Sequence, residues 1–79
     1  MSVIIDINKN NDVLNFIIKG SFSELKKNKR LLLSFKRLNY FIEKDTIYVP
    51  FRYETQTQVL QEIRKLLNKF GFQEELSES

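Results

Sequence analysis

The stretch 55–72, TQTQVLQEIRKLLNKFGF, constrains the fold most, because its apolar residues recur at the spacing of one helix face. These residues are Val59, Leu60, Ile63, Leu66, Leu67 and Phe70. At 3.6 residues per turn they share one side of a helix, and the polar residues between them fall on the other side. Thr55 and Gln58 have the spacing of a capping box, and Gly71 supplies a left-handed stop. A helix with such a stripe needs a packing surface from the rest of the chain.

Two stretches near the N-terminus predict a β-hairpin. Residues 3–7, VIIDI, and 13–19, VLNFIIK, are rich in β-branched and aromatic residues and alternate imperfectly. The polar residues 9–12 between them are typical of a turn, because Asn and Asp tolerate left-handed backbone angles. Val3, Ile5 and Ile7 can share one face of the first strand, and Leu14, Phe16 and Ile18 can share one face of the second.

Residues 22–38 predict a second helix, which begins after Gly20 has ended the strand. Ser21 and Glu24 again have capping-box spacing. Five of the seven apolar positions, Leu25, Leu31, Leu32, Phe35 and Leu38, fit one broad face, although the polar residues 28–30 interrupt the stripe. A single helix over 22–38 is the first interpretation, and a shorter helix followed by an extended LLLSF segment is the alternative. The apolar positions are Phe22, Leu25, Leu31, Leu32, Leu33, Phe35 and Leu38.

Residues 40–42 and 46–49 flank the polar turn 43–45 and predict a second hairpin, which Pro50 ends. Together these elements predict one small α+β domain with the order ββαββα, in which two β-hairpins pack with two helices. Its compact part is expected to span residues 1–72. Residues 73–79, QEELSES, are acidic and lack an apolar pattern, so we interpret them as a flexible tail or the start of a linker.

Composition excludes several classes of function. The 79 residues contain neither His nor Cys, so the common nucleophile pairs and the preferred zinc ligands cannot be built. The two glycines, Gly20 and Gly71, lie outside any phosphate-binding motif. We therefore expect no enzymatic activity in this chain, no metal and no cofactor. No apolar run is long enough to span a membrane, and the absence of cysteine is compatible with the cytoplasm.

The positive charge is concentrated in the middle of the sequence. Residues 19–52 carry nine Lys or Arg residues but only Glu24, Glu43 and Asp45 as acidic residues, for a net +6. Grouped cations of this kind bind phosphate backbones, and the same pattern also occurs as a solvated helix face. The cations Lys26, Lys27, Lys29 and Arg30 lack an acidic residue three or four positions later with which to pair, which favours the binding of an external anion. The cluster consists of Lys26, Lys27, Lys29, Arg30, Lys36 and Arg37.

Aromatic residues around the second hairpin are a weaker candidate for function. Tyr40, Tyr48, Phe51 and Tyr53 could stack on bases, as in proteins that bind single strands, or could simply belong to the core. Phe51 and Tyr53, which flank Arg52, are expected to be the exposed ones. We therefore add Arg52 and Tyr53 to the predicted nucleic-acid-binding residues.

From Leu14 to Phe72 the chain has a strand ending in IIKG, a helix, the stretch FKRLNYFIEKDTIYVPF and a leucine-rich helix ending in FGF. This order of motifs resembles the small N-terminal accessory domains of superfamily 2 helicases and translocases, which include HARP-type, damage-recognition-like and phage UvsW-like modules. The chain departs from that pattern in three ways. Its turn is shorter, Asn39 replaces the small residue that usually precedes the first aromatic residue, and Tyr48 replaces a Trp. The resemblance implies DNA binding on behalf of a motor domain whose ATPase motifs lie elsewhere.

The sequence therefore leads to a hypothesis of function without chemistry. The first interpretation is a non-catalytic accessory domain that binds nucleic acid, DNA ahead of RNA, for a helicase motor in the same polypeptide. The alternative is a protein-interaction or autoinhibitory module that does not bind nucleic acid.

Overall fold

A computed structural model describes residues 1–75 of the chain. Within them the structure contains five β-strands, three α-helices and two single 3₁₀ turns. In chain order they are β1 (Ser2–Asn10), β2 (Val13–Lys19), α1 (Phe22–Lys27), α2 (Lys29–Phe35), a 3₁₀ turn (Lys36–Leu38), β3 (Phe41–Glu43), β4 (Thr46–Phe51), a second 3₁₀ turn (Tyr53–Thr55), α3 (Gln56–Lys69) and β5 (Gln73–Glu74). The predicted α+β class is confirmed, and the order ββαββα is found with two differences: the first predicted helix is present as α1 and α2, and β5 is an addition.

The five strands form one sheet in the order β3-β4-β2-β1-β5. Within the hairpins, β1 pairs antiparallel with β2 and β3 pairs antiparallel with β4. Between them β2 pairs antiparallel with β4, and β5 runs parallel to β1 at the edge. The register places Phe16 opposite Ile7 and Val49, and it places Ile18 opposite Ile5 and Ile47. The two predicted hairpins thus lie side by side, joined through β2 and β4.

All three helices bury their apolar residues against one face of this sheet. Ile63 of α3, Leu25 of α1 and Leu31 of α2 are fully buried in the same cluster as Phe16 and Ile18. The predicted stripe of α3 is confirmed, with Val59, Leu60 and Phe70 partly buried at its margin. On β1, Ile7 was predicted to share the apolar face with Val3 and Ile5. It lies far along the strand and remains 53% exposed.

Local turn chemistry explains both hairpins. Asn11 and Asp12 have φ angles of 50° and 68°, and Asn10 pairs with Val13, which is the geometry of a type I′ turn. In the second hairpin Lys44 takes a positive φ of 56° between the paired residues Glu43 and Thr46. β1 and β4 extend beyond their predicted bounds, β2 matches them, and β3 is shifted by one residue. The prediction that Pro50 ends the strand was wrong, because β4 continues to Phe51 and Pro50 lies past the end of β3, where a missing N–H costs no bond to that strand.

The predicted single helix over 22–38 is divided in two. Asn28 interrupts it with φ −85° and ψ 87°, and its side-chain Oδ1 accepts a hydrogen bond from the Leu31 N–H at 3.1 Å. This bond replaces an intrahelical one and starts α2 in a new direction. The alternative of an extended LLLSF segment is wrong, because Leu31 to Phe35 are helical.

Neither predicted capping box forms. The Ser21 hydroxyl donates to the Ser2 carbonyl at 2.8 Å, so it ties the start of α1 to β1 instead of capping the helix. The Thr55 hydroxyl accepts from the Arg52 N–H and donates to the Arg52 carbonyl, both at 3.2 Å, and so closes the 3₁₀ turn. The predicted stop at Gly71 is confirmed by its φ of +87°.

The compact domain continues beyond Phe72, which corrects the expected boundary. The Gln73 N–H donates to the Met1 carbonyl at 2.8 Å, and the Glu75 N–H donates to the Val3 carbonyl at 2.7 Å. Residues 73–75 are therefore part of the sheet edge. The prediction of a flexible tail was wrong for them, since backbone pairing had no sequence signal there. Its remaining part, residues 76–79, lies outside the described residues.

Shortening the chain should reveal the contribution of this edge. We expect a chain ending at Phe72 to be about 1–3 kcal/mol less stable than one ending at Glu75, because two backbone hydrogen bonds and an ion pair to α3 are lost. For a domain of this size, that corresponds to a Tm lower by roughly 5–15 °C. Thermal unfolding followed by circular dichroism measures the difference, and equal Tm values would contradict the role assigned to β5.

Candidate nucleic-acid interface

The outward side of α2 carries a positively charged surface centred on an exposed leucine. Leu33 is 67% exposed, and it was not among the apolar residues predicted to share one helix face. Open grooves lie on both sides of it, with volumes of about 430 Å³ and about 360 Å³. Because both grooves include Leu33, the two cations of each groove together surround it. We call this group of four cations the basic face. The basic face consists of Lys29, Arg30, Lys36 and Lys69.

The larger groove combines two of these cations with apolar walls. We call it the tyrosine groove, and it is lined by Lys29, Leu32, Leu33, Lys36 and Tyr40. The Tyr40 ring packs edge-on against Phe35, with ring centroids 6.3 Å apart and an interplanar angle of 67°. Phe35 is fully buried, so the core fixes the position of the tyrosine ring.

The smaller groove connects the basic face to the end of α3. It is lined by Arg30, Leu33, Ser34, Lys69 and Phe70. The Lys69 ammonium lies 5.7 Å from the centre of the Phe70 ring, an ordinary cation–π distance. Lys69 was not among the predicted site residues, because 39 positions in sequence separate it from Arg30 and only the packing of α2 on α3 brings them together.

The basic face lacks internal charge compensation. Within residues 1–75, none of its four cations lies within 4.0 Å of a carboxylate oxygen. Arg37 differs, since its Nη2 lies 3.9 Å from Glu62 Oε1 on α3. Of the six predicted helix cations, Lys29, Arg30 and Lys36 thus lie together around Leu33, whereas Arg37 turns to α3.

The remaining predicted site residues lie at other places. Lys26 and Lys27 are exposed on α1, one element before the basic face. Arg52 borders a cavity at the ends of β2 and β4, together with Asp12, Asn39 and others. Tyr53 is 69% exposed, as expected. Exposure alone makes these residues available for contact without placing them in one site.

Phe51 is not exposed, which corrects the expectation for the aromatic group. It is only 8% exposed, and its ring stacks on Phe16 with centroids 4.1 Å apart. The register explains this, because Phe51 lies opposite Leu14 and therefore points to the helix side of the sheet. Tyr48 lies on the other side, where its ring stacks on Phe41 at 4.9 Å with an interplanar angle of 5°.

That second side, which we call the open sheet face, receives none of the buried residues of α1–α3. Register pairs join Phe41 to Tyr48, Tyr48 to Ile17 and Ile17 to Asp6, so these side chains share it. Phe41 is 44% exposed at its edge. Its charges are mixed, because Lys19 Nζ lies 4.0 Å from Asp6 Oδ2. This face therefore differs from the basic face in both charge and apolar character.

A bidentate ion pair joins α3 to the sheet edge. Arg64 Nε donates to Glu74 Oε1 at 2.6 Å, and Arg64 Nη2 donates to Glu74 Oε2 at 3.1 Å. The hydrogen bond to Glu74 raises the pKa of Arg64 above its ordinary value. Because an arginine is charged throughout the ordinary pH range, the pair persists wherever Glu74 is ionised. Its role is structural, since it anchors β5 to α3.

Among residues 1–75, no three acidic side chains come together as a metal site would require. None of the helices in the same range has the length and the hydropathy needed to cross a membrane. Comparisons with protein families, with curated proteins and with solved structures find no match to this chain.

Proposed function

We propose that this domain binds nucleic acid through the basic face, by contacts to the phosphate backbone and without catalysis. The observation that supports it best is the grouping of Lys29, Arg30, Lys36 and Lys69 around Leu33, with no carboxylate of residues 1–75 within ion-pair distance. Cations grouped without acidic partners leave their attraction available to an external anion. Lys26 and Lys27 extend the positive charge along α1.

A polyanion fits this arrangement better than a small anion does. The four cations come from α2, from the following 3₁₀ turn and from α3, so they are spread over a surface instead of converging on one point. Lys29 and Lys36 are about 10 Å apart along the helix axis, at ~1.5 Å per residue. A chain of phosphates can contact several of them together, and each contact releases condensed counterions.

Binding that rests on phosphate contacts should depend steeply on salt. With one phosphate at each of the four cations, the logarithm of the affinity for duplex DNA should fall with the logarithm of salt concentration at a slope of about −3.6. Raising monovalent salt from about 50 to about 200 mM should therefore weaken binding roughly 100-fold. Fluorescence anisotropy of labelled DNA at a series of salt concentrations measures the slope.

The expected affinity is micromolar or weaker at physiological salt, with no preference for base sequence, as is usual for backbone contacts. An absence of binding to duplex, forked and single-stranded DNA at low salt would contradict the proposal. The basic face would then serve only to keep the domain soluble. RNA of matched length tests whether DNA is preferred.

The context of a helicase follows only from the resemblance of sequence motifs. It is part of the proposal that the domain positions DNA for a motor domain in the same polypeptide. Such a role requires only that the domain bind DNA and hold it in a fixed orientation, which a basic face on a rigid scaffold can provide. A motor protein that carried this domain should lose affinity for DNA, but retain ATP hydrolysis, when the basic face is neutralised.

A second candidate function, docking onto another protein, is favoured by the open sheet face. The stacked pair Phe41 and Tyr48 adjoins Ile17 there, and aromatic groups of this kind are enriched at protein interfaces. The mixed charges of Asp6, Lys19 and Glu43 suit a protein better than a phosphate backbone. Phe41→Ser should abolish protein docking while DNA binding is unchanged, which separates the two candidates.

A further inference from the structure

We propose that the tyrosine groove holds one unpaired nucleobase, so that the domain distinguishes single-stranded from duplex nucleic acid. This inference rests on the proposed function, because the same basic face supplies the phosphate contacts. It adds a recognition element, since phosphate contacts alone do not distinguish a base that is exposed from one that is stacked in a duplex.

The walls of the groove have the chemistry that the flat face of a base requires. Leu33 is 67% exposed on one wall, Leu32 lies beside it, and the aromatic ring of Tyr40 forms another wall. When a ligand covers the apolar area of an exposed leucine, that area is removed from water, which contributes favourable free energy to binding. The volume of about 430 Å³ lies within the range of natural small-molecule sites, about 300–1,000 Å³.

The ring of Tyr40 is prepared for stacking before any ligand arrives. Its edge-on contact with the buried Phe35 holds it in place, so binding a base does not have to order a mobile side chain. Preorganised aromatic rings are the common platform on which single-strand binders stack bases without reading their sequence.

The charges at the groove suggest a nucleotide chain as its occupant. Lys29 and Lys36 are both part of the lining, one near each end of the helical segment, and the apolar walls lie between them. A nucleotide within a strand has the complementary layout, with a neutral flat base and a phosphate on either side. In a duplex the base is paired and stacked, and therefore cannot enter the groove.

The test compares strands that share phosphates but differ in bases. Single strands of about 12 nucleotides are prepared with bases and as a fully abasic backbone, alongside a duplex of equal length. We expect the intact strand to bind the wild-type protein roughly fivefold or more tightly than the abasic strand. The Leu33→Ala substitution should lower this ratio toward one, because it deletes one wall while keeping the Tyr40 ring and every cation.

Leu33→Ala is suited to the test because an exposed side chain contributes little to folding. The matched control is Ile7→Ala, which truncates a 53% exposed residue on β1, away from the groove. It should leave both affinities at their wild-type values. Chemical shift changes of the Leu33 methyl groups and the Tyr40 ring on adding the intact strand provide a second readout.

The outcomes separate this inference from the proposed function. Equal binding of the intact and abasic strands, with the expected salt dependence, overturns the nucleobase site and leaves phosphate binding in place. The groove would then be open to another occupant, such as an acidic peptide. No binding of any strand overturns both. If Leu33→Ala leaves the ratio of intact-strand to abasic-strand affinity unchanged, the site is also overturned, since the base would be contacting another surface.

Discussion

Ile63→Asp is expected to unfold most of the domain at room temperature. Ile63 is fully buried in α3, in the cluster where helix and sheet meet. A carboxylate there has no partner, and its burial costs several kcal/mol, which is comparable to the total stability of a small domain, about 5–10 kcal/mol. Circular dichroism and denaturant unfolding should show the loss of a cooperative transition.

A graded series keeps this prediction measurable if the Asp variant does not fold. Ile63→Val removes one methylene and should cost about 0.5–1.5 kcal/mol, whereas Ile63→Ala should cost about 2–5 kcal/mol. The control Gln61→Ala lies on the exposed side of the same helix and should stay within about 0.5 kcal/mol of wild type. A cooperative Asp variant with near-wild-type Tm would show that α3 does not pack as described.

Reversing three charges of the basic face should abolish nucleic-acid binding while the fold remains intact. The variant carries Lys29→Glu, Arg30→Glu and Lys36→Glu together. Three phosphate contacts are lost and replaced by repulsion, so we expect affinity for DNA at low salt to fall roughly 100-fold or more. Stability should change by about 0–1 kcal/mol per site, since these side chains are exposed and unpaired within residues 1–75.

A second triple variant controls for the change in overall charge. Reversing Lys9, Lys19 and Lys44 lowers the formal net charge from +3 by six, to −3, as does the first variant, but at exposed positions outside the basic face. It should bind DNA more tightly than the basic-face variant by at least tenfold. Equal losses in both variants would mean that net charge, and not this surface, attracts the DNA.

The elements that the sequence predicts well are those with local causes. Asn11 and Asp12 set the first turn by their own backbone preferences, and Gly71 ends α3 because a left-handed residue costs it little. The stripe around Ile63 follows from helical spacing alone. Each of these signals lies within a few residues of the structure that it determines.

The features that the sequence missed depend on distant parts of the chain. The Ser21 hydroxyl bonds to Ser2 instead of capping α1, because β1 happens to lie within reach. Glu74 is ordered by Arg64 and by pairing with β1, neither of which an acidic, patternless tail indicates. Composition therefore suggested a tail where the fold has a strand.

The candidate site was predictable in its charges but not in its shape. The cations of α2 are visible as a run in the sequence, and their exposure follows from charge. That Lys69 would join them depends on the packing of α2 on α3, which helical spacing over 22–38 cannot anticipate. The same spacing does not indicate the break at Asn28 that separates α1 from α2.

The parallel pairing of β5 with β1 also sets the order in which the domain can assemble. Both hairpins are local and can form within microseconds, but Gln73 must return to Met1 across almost the whole described chain. During synthesis, the outer edge of β1 therefore stays unpaired until residues 73–75 have left the ribosome, later than the residues of the other four strands. For that interval a nascent chain carries an open strand edge, which is the feature that invites pairing with neighbouring chains.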